Sequence, residues 1–251
     1  MTAVEYINRT YRHHFRQDRW AYFVVEYKET DLCIGVDKTS WQPDLIHFAS
    51  QYIHQLRTEM DHWIERNPGY ARALVPYAAT PDAPVIFREM AAVAEKSGIG
   101  PMSAVAGAVA QYTGEFLKTK FGLKEILVEN GGDIYADMDE DMDISVFAGS
   151  SPLSEKVGLH IEAACAPLGI CTSSGTVGPS LSFGKADAVM IICKDIKLAD
   201  TYATAFANLI QTPEDIPACI ERIQSHKEIL AAIAIKEDKM GICGQFELKL
   251  F

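Results

Sequence analysis

Three short segments of this 251-residue chain carry residue types that can do chemistry. In Leu198-Ala199-Asp200-Thr201-Tyr202-Ala203-Thr204-Ala205, a helical period puts Asp200 and Thr204 four residues apart on one face. A carboxylate and a hydroxyl are hard oxygen ligands. With a backbone carbonyl and phosphate oxygens they can fill much of a magnesium octahedron. The same Asp200 can instead cap or complement the helix N-terminus, with Thr204 in solvent.

The second segment is Val128-Glu129-Asn130-Gly131-Gly132-Asp133-Ile134, a strand that runs into two glycines and out into another strand. Gly131 and Gly132 permit positive φ and leave room for a ligand close to the main chain, and a hairpin turn explains the pair equally well. The third is Gly169-Ile170-Cys171-Thr172-Ser173-Ser174-Gly175, where three hydroxyls and a glycine follow a strand. Successive N–H groups in such a loop bind phosphate oxygens, with hydroxyls as further donors, and a polar loop with no task is the alternative. No glycine stands two residues before Ser174, so this is not a nucleophile elbow, and no Gly-Lys-Ser/Thr follows to make it a Walker loop.

These segments depend on the elements around them. Residues 9 to 38 read as strands: Ala21 to Tyr27 and Leu32 to Val36 are rich in aromatic and β-branched residues, linked by the hairpin-like Lys28-Glu29-Thr30-Asp31. From Asp44 to Ile64 apolar residues recur at helical spacing, with Pro43 at the start and Asn67-Pro68-Gly69 at the end. Further helices are expected over Val85 to Lys96 and about Met102 to Phe121, the latter opening with small residues. Strands are expected at Lys124 to Val128, Asp133 to Ala136 and Ile144 to Phe147. The acidic run from Asp137 to Asp143 lacks the glycine and terminal glutamate of an EF-hand and reads as a solvated turn. Residues 156 to 194 give more strands around the third segment. Helices follow at Lys197 to Ile210 and Pro213 to Ser225, then strands near Ile229 to Ile235, Ile242 to Phe246 and Glu247 to Phe251. Hairpin-like strand pairs interleaved with helices predict an α+β fold, antiparallel sheets with helices packed on them, over a doubly wound parallel one.

The totals exclude several classes. A net charge of −11 argues against non-specific binding to nucleic acid or to an anionic membrane surface. The six cysteines form no CxxC pair and read as buried free thiols of a reducing compartment. No signal-peptide core and no apolar run near bilayer length is seen, so the expected location is cytoplasmic. His13 and His14 read as solvent-facing, His160 as a half-buried strand residue, and Trp20, Trp41 and Trp63 as core or interface residues. Asp187 is a minor candidate for reaching the cofactor loop.

Taken together, the order and character of the three segments resemble the ApbE-like superfamily. Asn130-Gly131-Gly132-Asp133 is similar to a one-residue-shorter form of its Asn-x-Gly-Gly-Asp stretch, Thr172-Ser173-Ser174-Gly175 to its Thr-Ser-Gly loop, and Ala199 to Ala205 to its Ala-Asp-Ala-x-x-Thr-Ala helix start. Ser103-Ala104-Val105-Ala106-Gly107 looks like its Gly-x-x-Lys-Gly segment. The chain is most similar to a branch without established activity, sharing Tyr27-Lys28-Glu29-Thr30-Asp31-Leu32, a Thr-Ser-Ser-Gly loop and Ser182-Phe183-Gly184-Lys185-Ala186-Asp187-Ala188. The resemblance implies one T-fold-related domain over residues 1 to 251, built from two similar halves. It implies FAD and Mg2+ as cofactors, with Asp200 and Thr204 on the metal beside a carbonyl near Ser103 or Ala104. Asn130, Gly131, Gly132, Asp133, Thr172, Ser173, Ser174 and Gly175 would line the cofactor. In the characterised transferases FAD is split and FMN passes to a serine or threonine of a flavoprotein, so a protein acceptor is implied, and a homo-oligomer is compatible with it.

The chain departs from the transferases in its N-terminal half and in two motifs. Their His-x-x-Asp-Pro-x-x-Gly stretch has no counterpart in Pro179 to Asp187, and Ala106 stands where they carry lysine. No general base is evident. Three readings stay open: an enzyme acting on FAD or another phosphorylated ligand with magnesium, a non-catalytic module holding a flavin, pterin-like ring or nucleotide, and a structural or interaction protein that keeps the motifs for the fold alone.

Overall fold

The computed structural model describes residues 18–177 and 181–251. Strands β1 (Trp20–Tyr27) and β2 (Thr30–Asp37) pair from Trp20 against Asp37 to Tyr27 against Thr30, so the hairpin turn is only Lys28-Glu29, with Lys28 at φ 54. Four helices follow: α1 (Asp44–Arg66), α2 (Pro68–Arg72), α3 (Val85–Ser97) and α4 (Val105–Phe121). The apolar spacing of α1 explains its placement, since Leu45, Ala49, Ile53, Leu56, Met60 and Trp63 form one buried stripe. Gly98 and Gly122, both left-handed, terminate α3 and α4.

Next come β3 (Ile126–Asn130), β4 (Asp133–Asp137), β5 (Met142–Ser145), β6 (Val157–Ile161), β7 (Leu168–Ser173) and β8 (Ala188–Cys193). Helices α5 (Ile196–Ala207) and α6 (Ile216–Gln224) precede β9 (Ile229–Lys236), β10 (Lys239–Gly244) and β11 (Glu247–Leu250).

The strands form an antiparallel eight-stranded sheet in the order β1-β2-β3-β4-β7-β8-β9-β10, and a three-stranded sheet β11-β6-β5. Each half of the large sheet is a strand pair, then helices, then a second strand pair, so the expected two similar halves are visible in the topology. Helices cover one face. There, Ile126, Val128, Val189 and Ile191 pack against α1, α3, α4 and α5 residues. The alternate residues Leu127, Ala188, Met190 and Ile192 face the small sheet through Ile144, Leu159 and Ile161. Because both faces are buried, β3 and β8 read as continuous apolar runs rather than alternating ones.

Several sequence expectations shift. The first strand region is described only from β1, so residues 9–17, with His13 and His14, lie outside the described residues. The acidic run is not wholly a solvated turn: Asp137 ends β4, Asp143 sits in β5, and Met138 and Met142 are buried against the small sheet. Strand β5 starts two residues before the expected Ile144, drawn in by Met142 opposite Ile161. Strand β10 starts at Lys239 rather than near Ile242, because Glu237-Asp238 makes a two-residue turn with Glu237 at φ 56. Among the described residues all six cysteines are free, four of them buried.

Candidate ligand-binding site

The register brings the three chemical segments to one end of the large sheet. Leu32 pairs with Asn130, Asn130 with Asp133, and Asp133 with Cys171. The β1–β2 turn, the β3–β4 turn and the exit of β7 therefore lie side by side. Gly131 and Gly132, at φ 68 and 106, make the two-residue β3–β4 turn; Gly131 faces open space, while a Cβ on Gly132 would lie 3.4 Å from Thr172 O. The hairpin reading of this pair is what the pairing shows.

Above this sheet end sits a cavity of about 920 Å³, within the range of small-molecule sites. Nine of the ten candidate residues line it: Asn130, Gly131, Gly132, Asp133, Thr172, Ser173, Ser174, Asp200 and Thr204. Gly175 does not. Its N–H donates to Ala186 O at 2.9 Å, and a Cβ there would lie 2.2 Å from Gly184 O. Its task is to hold the loop close to residues 184–186. Asp187 also lies outside the cavity lining. It accepts from Thr176 Oγ1 at 3.0 Å and from Glu237 N at 2.6 Å, pinning the loop to β9.

Helix α5 supplies the deepest polar groups. Asp195 caps it by accepting from Lys197 N at 3.0 Å, so Asp200, in the second turn, is not the cap. Asp200 is buried, and its Oδ2 accepts from Gly107 N at 2.8 Å. The small residues of α4 explain that approach: a Cβ on Gly107 would meet Ile196 Cγ1 at 3.0 Å and Asp200 Cβ at 3.1 Å. Ala106 O accepts from Asn130 Nδ2 at 3.0 Å, which ties α4 to the β3–β4 turn. Ser103 lines the cavity, and its hydroxyl lies 2.7 Å from that of Thr201. Ala104 is fully buried. Thr204, one turn beyond Asp200, lines the cavity, and its hydroxyl has no protein partner among the described residues.

The electrostatics of this pole are unusual. Burial raises Asp200 to about 7, against the lowering effect of the Gly107 and Ala106 N–H groups. Burial, then the adjacent Asp200 charge, pushes Asp133 well above the ordinary carboxylate range. Burial, then Asp133, raises the Cys171 thiol as well, so it is no thiolate nucleophile. Two adjacent carboxyl groups out of water, one raised further by the charge of the other, are the setting that a divalent cation relieves. Among the described residues no group of three or more His, Cys, Asp or Glu side chains makes a ready cage. The donors present at this pole, the Asp200 carboxyl and the Thr204 hydroxyl, are hard oxygens of the kind that suits Mg2+.

The cavity also has residues that the sequence reading did not single out. Helix α1 contributes Arg57, Met60 and Asp61, β2 contributes Thr30, and β5 contributes Ile144 and Ser145. Helix periodicity marks Met60 and strand propensity Ile144 as structural positions, but neither signal marks any of the six as lining a cavity. The stretch from Tyr27 to Leu32 was visible as a branch feature but carried no chemistry until Arg57, 27 residues beyond Thr30, met it. His160 is remote from the cavity, on the small sheet, 2.7 Å from Asp143. Trp20 and Trp63 are core residues, while Trp41 is partly exposed against Phe23.

The family described as AbpE bacteria matches residues 12–231. The chain belongs to it. UPF0280 proteins share this ApbE-like chain's sequence over most of their length. That of Methanocella arvoryzae is 39% identical over 77% of this chain and 78% of its own. That of Methanosarcina barkeri is 35% identical over 88% and 85%. Among solved structures, the fold matches apo flavinyl transferase ApbE of Pseudomonas stutzeri with a TM-score of 0.56 at 14% identity, covering 94% of this chain and 95% of that one. It matches the ApbE protein of Thermotoga maritima with a TM-score of 0.57 at 10% identity, covering 88% and 96%. At such identities the likeness is one of fold, and it establishes the ApbE-like α+β architecture. Among the described residues no helix is long and apolar enough to cross a membrane.

Proposed function

We propose that the cavity binds a flavin nucleotide, FAD or FMN, or a phosphorylated ligand of similar size, together with Mg2+ held by Asp200 and Thr204. The charge balance of the walls carries this reading. Four carboxyl groups line the cavity against one cation, Arg57, among the described residues: Glu29 and Asp61 at one pole, and at the other the buried Asp133 and Asp200, which can ionise together only with a cation beside them. An anionic ligand meets repulsion there unless a cation comes with it. Asp200 and the unpartnered Thr204 hydroxyl stand one helical turn apart where such a cation would be held. When bound, Mg2+ offsets the phosphate charge. The backbone at Gly131 and Gly132 and the hydroxyls of Thr172 and Ser173 offer contacts for the nucleotide, and the apolar wall around Met60, Ile134 and Ile144 suits a planar ring. The names of the solved relatives, flavinyl transferase among them, point the same way.

Transfer of FMN to a serine or threonine of a protein acceptor is the fuller form of this reading. Binding without transfer is favoured by a specific observation: among the described lining residues there is no histidine and no lysine. Calorimetric titration with FAD, with and without Mg2+, tests the binding. The account expects Mg2+-dependent binding that the Asp200→Ala, Thr204→Ala double variant loses, and binding indifferent to Mg2+ would overturn it. Release of AMP from FAD separates the two forms, since a pure binding module yields none.

A further inference from the structure

The cavity has a second pole, built around the one cation in its described lining. Arg57, on α1, has a side chain only 15% exposed. Its Nη1 donates to Thr30 Oγ1, and its Nη2 to Glu29 Oε2 at 2.8 Å. Asp61 lies farther off, at 3.7 Å, and is itself engaged by Lys28. All of these except Lys28 line the cavity.

The Glu29 contact is the informative one. Its side chain is 80% exposed, so the ion pair sits largely in water and contributes little to stability. Arg57, by contrast, is held by its buried stem on α1 and by Thr30 at the start of β2. The planar guanidinium is therefore pre-oriented, while its carboxylate partner stands in solvent. Arginine forks match carboxylate and phosphate oxygens in two-point geometry. Glu29 Oε2 occupies the place a ligand oxyanion would take.

The sheet sets the spacing between the poles. Arg57 stands over the start of β2, and Thr172 and Ser173 lie at the end of β7. The order β2-β3-β4-β7 separates them by three interstrand steps, which at about 4.8 Å each span roughly 14 Å. Asn130, Gly131 and Gly132, at the β3–β4 turn, line the cavity between them.

We propose that Arg57, with Thr30, is an oxyanion-recognition site for a second anionic group of the ligand, a phosphate or a carboxylate, displacing Glu29 on binding. The ligand is then an extended molecule with anionic groups met at both ends of the cavity, one through a cation at Asp200 and Thr204 and one by Arg57 directly. Only the first of these contacts rests on the function proposed above. The Arg57 contact needs no divalent metal, and this makes the two separable.

The test is calorimetric titration of the full chain in chelator with inorganic pyrophosphate in one series and succinate in another. Wild-type protein is expected to bind at least one of them without metal, and the tighter of the two names the anionic class. Arg57→Met, which keeps the buried stem, should weaken this binding by about tenfold or more. Glu29→Gln removes the competing carboxylate and should tighten it roughly two- to fivefold, an effect that a purely structural Arg57 pair would not produce. Absence of metal-free anion binding by wild type, or the same affinity in wild type and Glu29→Gln, overturns the proposal. Glu29 is exposed, so that variant decides the matter even if Arg57→Met folds poorly.

Discussion

At the scale of the residue, the buried carboxyl groups make the sharpest claims. Asp200 is raised by burial to about 7, above the ordinary value of about 4. The folded state therefore holds a proton that the unfolded chain has released between about pH 4 and 7. This contribution to stability is full below about pH 4 and is lost as pH rises through 7. Metal-free protein should lose thermal stability from pH 5 to pH 8, and Asp200→Asn should flatten that slope. His160, raised by its hydrogen bond to Asp143, acts in the same direction and is untouched by the substitution. Melting curves in chelator check this, and identical slopes would count against a buried, protonatable Asp200. Residue types and spacing alone left a hairpin, a polar loop and a helix cap as equal or better readings of the three segments; the family resemblance singled out the ten candidates, of which nine line the cavity. Gly175 was misplaced because a glycine after three hydroxyls looks like part of a phosphate loop, whereas here it serves the close approach of residues 184–186. Arg57 was hidden because nothing local distinguishes it from any charged residue on the solvent side of an amphipathic helix.

At the scale of the element, the position of Asp200 depends on how α5 lies on β7 and α4. Gly169, in β7, is where the helix comes closest: a Cβ there would lie 2.3 Å from Ile196 Cα. Gly169→Ala must push α5 away and should cost about 1–3 kcal/mol, read as a lower denaturant midpoint. If the account of the site is right, the variant also weakens Mg2+-dependent FAD binding. An unchanged midpoint would show that the helix tolerates the shift. The helices other than the five-residue α2, which falls where the sequence reads as a helix end, were legible from their apolar periods, and their boundaries held within a few residues. The strand ends were less so. The turns at Lys28-Glu29 and Glu237-Asp238 place non-glycine residues at positive φ, without the Asn-Gly or Asp-Gly signal that marks such hairpins.

At the scale of the whole molecule, the eight-stranded sheet is a partition between two cores, and the cavity sits at its edge with walls from both. Ile144 and Ser145 reach it from the small sheet. The small sheet closes through Leu159, which is fully buried. Leu159→Ala should destabilise the fold by about 2–5 kcal/mol, measured by chemical denaturation, and a loss below about 1 kcal/mol would contradict this sheet's part in the second core. The α+β architecture was readable from interleaved hairpins and helices. The three-layer arrangement was not, because strands buried on both faces show no alternation that assigns a partner to each face. The central claim is that a divalent cation at Asp200 and Thr204 meets the ligand's phosphate. Its most direct test is phosphorus NMR relaxation of FAD on the protein with Mn2+ in place of Mg2+. The account predicts strong paramagnetic broadening of the pyrophosphate signals with wild-type protein and none beyond that of free Mn2+–FAD with the Asp200→Ala, Thr204→Ala variant. Equal broadening in the two proteins would contradict it.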